Sequence, residues 1–289
     1  MNQALASAAG STGTAVRTAV LSQGEFAEIA RIVRDACGIN LTESKMDLVH
    51  SRLQKRLRLF GLATFAEYIE FVGSGSNRDE FDQMISALTT NVTRFHRESH
   101  HFEHFDQICL PKLMRSSAAG EPVRIWSAGC SNGSEPYNIA GVILDKCPDA
   151  ARRNFRILGT DIDIRSLAVA RSGRYTREYV EGLPEQSMRK WFESDASGYQ
   201  VRPELRQLVT FNTLNLIQDW PMRHKFDAIF CRNVMIYFTR DLQEKLLQRF
   251  VSCLKPEGLL YIGHSERVSG PAASLLKPVG NTIYQYNGS

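Results

Sequence analysis

The stretch RIWSAGCSNGSEPY, Arg124 to Tyr137, changes character halfway. Arg124 to Ala128 reads as a buried strand. Gly129 to Glu135 are small, polar or acidic, and Pro136 and Tyr137 open a new segment. A core strand that runs straight into a loop almost without side chains implies that something comes close to the backbone there.

The flanking sequence sets this strand in an alternating pattern. Val123–Ala128 is a strand and Pro136–Lys146 a helix; Phe155–Thr160 is a strand and Ile164–Arg171 a helix. Leu208–Leu214 and Phe226–Cys231 are strands, and Leu242–Leu254 is a helix stopped by a turn at Lys255–Gly258. Leu259–Gly263 and Thr282–Tyr286 close the series as strands. Strand–helix alternation predicts an α/β fold with a parallel, doubly wound sheet. Residues 173 to 207 break the rhythm with Gly173, Gly182, Pro184, Gly198 and Pro203, and read as an insertion.

Upstream the periodicity is helical. Ser22 and Glu25 form a capping box that opens a helix with the stripe Phe26, Ile29, Ala30, Val33 and Cys37, ended by Gly38. A second helix runs from Ser44 to Phe60, with Met46, Val49, Leu53, Leu57 and Phe60 facing inward. Lys45, Arg52, Lys55, Arg56 and Arg58 take its remaining faces, with Asp47 the only acid among them. Thr64 and Glu67 cap a third helix, and Phe81–Leu88 forms a fourth. The chain therefore divides into a disordered tail rich in Ala, Ser, Thr and Gly (1–20), a helical domain (21–90) and an α/β domain (91–289).

Composition narrows the class. At 289 residues, 43% hydrophobic and 23% charged, the chain suits a soluble protein with one large and one smaller domain. No apolar run approaches the ~20 residues of a membrane span, and no secretory signal is expected. The six cysteines are scattered without a CxxC, as suits free thiols in a reducing cytoplasm. A net charge of +4 is too mild to argue for nucleic acid. His100 and His104 are one helical turn apart, but no Cys or carboxylate completes a metal set. Trp126, Trp191, Trp220, Phe211 and Phe230 read as packing residues.

In a doubly wound sheet a ligand sits at the carboxyl ends of the strands. The Gly129/Gly133 spacing is neither the dinucleotide fingerprint nor the P-loop, and the loop has no Lys for phosphate. Glu135 stands where a phosphate loop would need donors. The second strand ends in GTDID, and Asp161 at its tip suits the two hydroxyls of a ribose. S-adenosylmethionine fits both clues, having a ribose, an ammonium and a sulfonium but no phosphate. A tight turn followed by a helix-capping Asp accounts for the same residues without a ligand.

TTNVTRFHRE (89–98), WSAGCSNGSEPY (126–137), GTDID (159–163), FCRNVMIYF (230–238), LKPEGLL (254–260) and GHSE (263–266) together resemble the chemotaxis receptor methyltransferases, the CheR family. The resemblance covers residues 22 to 287 in order and spacing. It implies a Rossmann-like class I methyltransferase sheet, an all-α N-terminal domain and a small antiparallel β-subdomain. It also implies a cytoplasmic enzyme that moves the methyl of S-adenosylmethionine onto glutamates of chemoreceptor helices. By the same resemblance Asn91, Thr93 and Arg97 lie on the cofactor side of the linker, with Arg97 beside the reactive methyl. Glu135 lies near the methionine part and Asp161 holds the ribose. Asn215 and Leu216 flank the adenine, Asn233 and Val234 line the pocket, and Tyr237 faces the substrate. Two departures are Gly-Ser-Glu-Pro-Tyr, where many relatives carry two consecutive acids, and His96 in place of a second aromatic.

The chemistry asked of these residues is modest. Glutamate is ionised at pH 7, with a reference pKa of about 4.3, so no general base is required. A carboxylate is a weak nucleophile, and catalysis must come from alignment and desolvation. A guanidinium fixes a carboxylate in its plane, which suits Arg97, with the Tyr237 hydroxyl beside it. Two rivals are a nucleic-acid or small-molecule methyltransferase and a non-catalytic adapter. The first usually carries a Pro-Pro-aromatic motif where this chain has RNVMIY, and the second has no use for Arg97, Glu135, Asp161 and Tyr237 together. A monomer is expected, docking receptors through the basic helix 44–60 and the β-subdomain, with no nucleic-acid partner and no insertion into membrane. The hairpin FESDASGYQVRPEL (192–205) lacks a glycine-rich extension, so dependence on a receptor tail peptide is not expected.

Overall fold

The computed structural model describes residues 19–89 and 93–288. Four helices come first: α1 (Gln23–Cys37), α2 (Met46–Phe60), α3 (Phe65–Gly73) and α4 (Arg78–Leu88). Ser22 and Glu25 cap α1 reciprocally, the Ser22 N–H donating to Glu25 Oε2 at 2.8 Å and the Glu25 N–H to Ser22 Oγ at 3.3 Å. Thr64 and Glu67 do the same for α3. Ile29, Val33, Val49, Leu53, Phe65 and Tyr68 form the shared core.

Two expectations for α2 are corrected. Phe60 is 40% exposed. The helix ends at left-handed Gly61, so Phe60 finishes at the rim, its ring 4.9 Å from that of Phe71. Arg52 and Arg56, expected on the basic face through which helix 44–60 docks receptors, are instead engaged by their own domain. Arg52 donates to the carbonyls of Ala87 and Thr89 at 3.1 and 2.8 Å, supplying partners that the last turn of α4 lacks. Arg56 clamps both oxygens of Glu80, a carboxylate only 5% exposed that also accepts the Tyr68 hydroxyl at 2.6 Å. A buried charge needs such a partner. Periodicity places a charged side chain outside unless another helix is known to lie there, and α4 lies there.

A helical connection follows that the sequence did not announce: α5 (His100–His104), a π-type turn (Phe105–Cys109) and α6 (Leu110–Ala118). The His-rich opening and Pro111 mask its apolar face, yet Phe102, Phe105 and Leu110 are buried against the sheet. His101 is fully buried, and its ring is 3.0 Å from the Thr282 hydroxyl. Burial, with the charges of Arg232 and His100, lowers its pKa to about 3, so it is neutral.

The α/β part runs β1 (Val123–Ala128), α7 (Ser134–Lys146), β2 (Phe155–Asp161), α8 (Ile164–Ser172), β3 (Arg174–Tyr175), α9 (Arg177–Val180), α10 (Glu185–Trp191), β4 (Phe192–Asp195), β5 (Gly198–Val201), α11 (Pro203–Leu208), β6 (Val209–Thr213), β7 (Phe226–Cys231), α12 (Arg240–Cys253), β8 (Leu254–Ile262), β9 (Leu276–Gly280) and β10 (Ile283–Tyr286). The main sheet has the order β6-β2-β1-β7-β8-β10-β9. Its first five strands are parallel, and β10 and β9 add an antiparallel edge. This is the Rossmann-like methyltransferase architecture. β3, β5 and β4 form a separate antiparallel sheet within the insertion.

Neighbouring residues along the central strands enter opposite cores. Ile125, Phe230 and Tyr261 face one layer, and Trp126, Ile229 and Leu260 the other. A sheet covered on both faces buries every position, which is why these strands read as continuous apolar runs. The expected turn at Lys255–Gly258 is instead the irregular start of β8. Glu257 is left-handed there (φ 59°), and the register against β7 slips between Phe226 and Ala228. The edge strand β9 was not expected, because Pro278 and Gly280 disguise it.

Candidate active site

The strand order reverses between β1 and β7, and such a switch point opens a crevice at the carboxyl ends of the strands. A cavity of about 420 Å³ lies there. One wall comes from the loops after β1, β2, β6 and β7, and the other from Cys37, Ile39, Asn40, Leu41 and Lys45 of the helical domain. Thr93, Arg97, Glu135, Asp161, Asn215, Leu216, Asn233, Val234 and Tyr237 all line it. Asn91, expected beside them, lies outside the described residues.

The opening loop makes its turn with left-handed Gly129, Ser131 and Gly133. A side chain at Gly129 would place its Cβ 2.4 Å from Val234 Cγ2, so the two loops close on each other only because this residue is glycine. Asp161, 8% exposed at the tip of β2, accepts the Ser131 N–H at 2.7 Å and the Asp163 N–H at 2.8 Å. Burial raises its pKa to about 6 despite those two donors. Each of its oxygens keeps a lone pair for a further donor.

At the foot of the cavity Glu135 accepts Ser127 Oγ at 2.6 Å and the Arg232 guanidinium at 2.9 Å. The Arg232 side chain is only 4% exposed. It also donates to the Arg97 carbonyl and lies 3.4 Å from a Glu98 oxygen. Glu98 binds His264 at 2.8 Å and the Asn233 amide at 3.1 Å. Burial alone would raise its pKa, but the His264 hydrogen bond, Arg232 and Asn233 outweigh that and hold it at about 2. Arg232 and Glu98 are the residues that sequence reasoning passed over. The available signal was an Arg ending the apolar run FDAIFC, where a lone cation has to meet a carboxylate.

Arg97 stands between two left-handed residues, His96 (φ 60°) and Glu98 (φ 55°). Such residues are held in place by their surroundings. Here the His96 N–H donates to Asn138 Oδ1 at 2.9 Å, and Arg232 and Glu98 fix the other side. Tyr237 ends a short 3-10 turn (Met235–Tyr237). Burial raises its pKa while the charges of Arg97 and Arg52 oppose the rise, so Arg97 and Tyr237 share one field. Asn215 turns its amide to the Ala36 carbonyl at 2.6 Å and accepts the Ile217 N–H at 3.2 Å. Leu216 belongs to the core packed on Trp126 as well as to the cavity wall.

Two buried polar atoms on this wall, Ser131 Oγ and Arg232 Nε, have no hydrogen-bond partner among the described residues. With the Asp161 and Glu135 carboxylates they make a donor and acceptor set that fits the hydroxyls, ammonium and carboxylate of S-adenosylmethionine. Carboxylates at both ends would repel a phosphate.

Residues 91–284 match the family described as CheR methyltransferase, SAM binding domain, and residues 24–89 match CheR methyltransferase, all-alpha domain. A probable chemotaxis protein methyltransferase of Rhizobium etli is 47% identical over 253 residues, covering 86% of this chain and 94% of that protein. Chemotaxis protein methyltransferase 2 of Pseudomonas aeruginosa is 41% identical, covering 90% of this chain and 92% of its own length. The chemotaxis protein methyltransferase of Escherichia coli is 40% identical, covering 86% of each. With the switch-point cavity, its carboxylates and both domain matches in hand, the chain belongs to the CheR family of S-adenosylmethionine-dependent chemotaxis methyltransferases.

Proposed function

We propose that this methyltransferase acts on glutamate side chains of chemoreceptors, forming glutamyl methyl esters. S-adenosylmethionine supplies an electrophilic methyl group on a sulfonium. Asp161 would take the ribose hydroxyls, Arg232 Nε the cofactor carboxylate and Glu135 its ammonium, with Arg97 in the same cavity lining. Asn215 and Leu216 bound the adenine, and Thr93, Asn233 and Val234 complete the wall. The observation that carries the reading is Arg97 itself, which lines the cavity between two left-handed residues, with Tyr237 in the same lining.

Its planar fork orients an incoming carboxylate, and the Tyr237 hydroxyl donates to the oxygen that does not attack. No proton has to be removed from a carboxylate whose ordinary pKa is about 4.3. Closure of the helical domain over the cleft keeps water from solvating the nucleophile.

Residues 21–90 and 91–289 work as separate docking and transfer domains of a cytoplasmic monomer, with 173–207 as a second receptor contact. Lys45 and Arg94 line the cavity, while Lys55 and Arg58 are exposed along α2. These four cations, rather than Arg52 and Arg56, draw an acidic receptor helix to the cleft. The test supplies labelled S-adenosylmethionine together with either a receptor cytoplasmic fragment or RNA. Label in the receptor fragment alone supports the reading; label in RNA, or in neither, overturns it.

A further inference from the structure

The loop that carries Tyr237 is built around a carboxylate from elsewhere in the chain. Glu266, at the end of GHSE, is 4% exposed. Its Oε1 accepts the backbone N–H groups of Val234, Met235 and Ile236 at 3.0, 2.7 and 3.3 Å. Its Oε2 accepts those of Asn233 at 3.2 Å and of Gly263. Four consecutive N–H groups thus converge on one side chain, an arrangement that elsewhere binds free anions. Asn233 is left-handed (φ 58°), which turns this run of donors inward. Gly263 has to be glycine, because a Cβ there would lie 2.5 Å from Asn233 Nδ2 and 2.6 Å from its backbone nitrogen.

The same turn holds Val234 against Gly129 and offers the Tyr237 carbonyl to the Asn40 N–H at 2.8 Å. Its geometry therefore fixes one side of the cavity, a contact to the helical domain and the backbone position from which the Tyr237 side chain reaches the cavity. An amide could not replace the carboxylate, since its NH2 would face two or three of the donors.

We propose that Glu266 is a positioning residue for methyl transfer: as an internal anion it organises the 233–236 backbone and so aims the Tyr237 hydroxyl at the acceptor carboxylate. The proposal rests on the reading of Tyr237 given above. It differs from a merely structural role because the effect of Glu266 on turnover passes through Tyr237.

The test is a double-substitution cycle on the full chain, with tritiated S-adenosylmethionine and a receptor cytoplasmic fragment, both saturating. Glu266→Gln lowers kcat about tenfold or more, while cofactor affinity by calorimetry changes less, a split that marks loss of transition-state alignment. Tyr237→Phe also lowers kcat. In the Tyr237→Phe background, adding Glu266→Gln changes kcat by less than about threefold, because the aimed group is already gone. Multiplying effects overturn the Glu266 proposal and leave the Tyr237 reading standing. An unchanged kcat in Tyr237→Phe alone overturns that reading and the proposal with it. If Glu266→Gln does not fold, Glu266→Asp takes its place, keeping the charge with a shorter reach. Loss of the folded state in both shows that the carboxylate holds the domain together rather than aiming one side chain, and overturns the proposal.

Discussion

The Asn215 amide at the end of β6 donates to the Ala36 carbonyl near the end of α1, at 2.6 Å. This bond joins a cavity-lining loop of the α/β sheet to the helical domain. The Asn40 N–H bonded to the Tyr237 carbonyl and the bridge between Ile39 and Phe238 join the same two domains. The cavity is therefore shared, with lining residues from both halves.

Gly38 lies at the centre of this junction. It is left-handed (φ 78°), and a Cβ would lie 2.6 Å from Leu242 and 2.7 Å from Ile217. Gly38→Ala should cost about 1–2 kcal/mol through its backbone conformation alone. It should also part the two domains and weaken cofactor binding. Asn215→Ala, which loses the neutral hydrogen bond to Ala36 across the junction as well as the one from the Ile217 N–H, should lower cofactor affinity by at least about 0.5–1.5 kcal/mol. Calorimetric titration of both variants checks this, and wild-type affinity in both would show that the junction has no influence on the cavity.

Asp161→Ala should weaken cofactor binding by about 1.5–3 kcal/mol, the range for hydrogen bonds to a charged group. The carboxylate binds hydroxyls best when ionised, and burial has raised its pKa to about 6. Cofactor affinity should therefore be level above pH 7 and fall as the pH drops through 6. Asp161→Asn should abolish that dependence. For the free protein the sign is opposite: a carboxyl raised on folding stabilises the fold at low pH, and that contribution is lost as the pH rises through 6. Isothermal titrations across pH 5 to 8 read the binding effect, and denaturant unfolding over the same range reads the stability effect.

Arg97→Lys keeps a charge but loses the planar fork. Turnover should fall at least about tenfold, and by more than cofactor affinity does. Single-turnover rates with saturating cofactor measure the difference; a wild-type rate would remove Arg97 from the chemistry.

Arg56 and Glu80 form a buried pair that also holds the Tyr68 hydroxyl. Arg56→Ala leaves Glu80 unpaired and should destabilise the chain by about 3–5 kcal/mol in denaturant unfolding. Lys55 and Arg58 are exposed. Lys55→Glu with Arg58→Glu should leave stability within about 0.5 kcal/mol while slowing methylation at subsaturating receptor. The wild-type rate should fall as salt rises past about 0.1 M, where the screening length is about 10 Å.

The strand–loop–helix at Arg124–Tyr137 made the sheet legible, because a doubly buried strand leaves a continuous apolar run and a cofactor loop leaves glycines. The capping boxes at Ser22 and Thr64 were legible because both partners lie within one turn. The rest depended on contacts distant in sequence. Arg52 and Arg56 looked solvated because α4, which engages them, starts more than 20 residues later. Arg232 and Glu98 are 134 positions apart, and nothing local shows that a linker carboxylate meets the tip of β7. α5 and α6 were hidden by histidines and a proline, although His101 is buried and neutral.

The central claim is that the acceptor is a carboxylate. It is tested most directly by the bond that is made. A receptor cytoplasmic fragment is methylated with tritiated S-adenosylmethionine, freed of excess cofactor and treated with mild alkali. A glutamyl methyl ester should release its label as volatile methanol, and peptide mass spectrometry before treatment should place the added methyl, which takes the place of the acid proton, on glutamates. Label that resists alkali, or mass added at lysine, arginine or a chain terminus, would contradict the account.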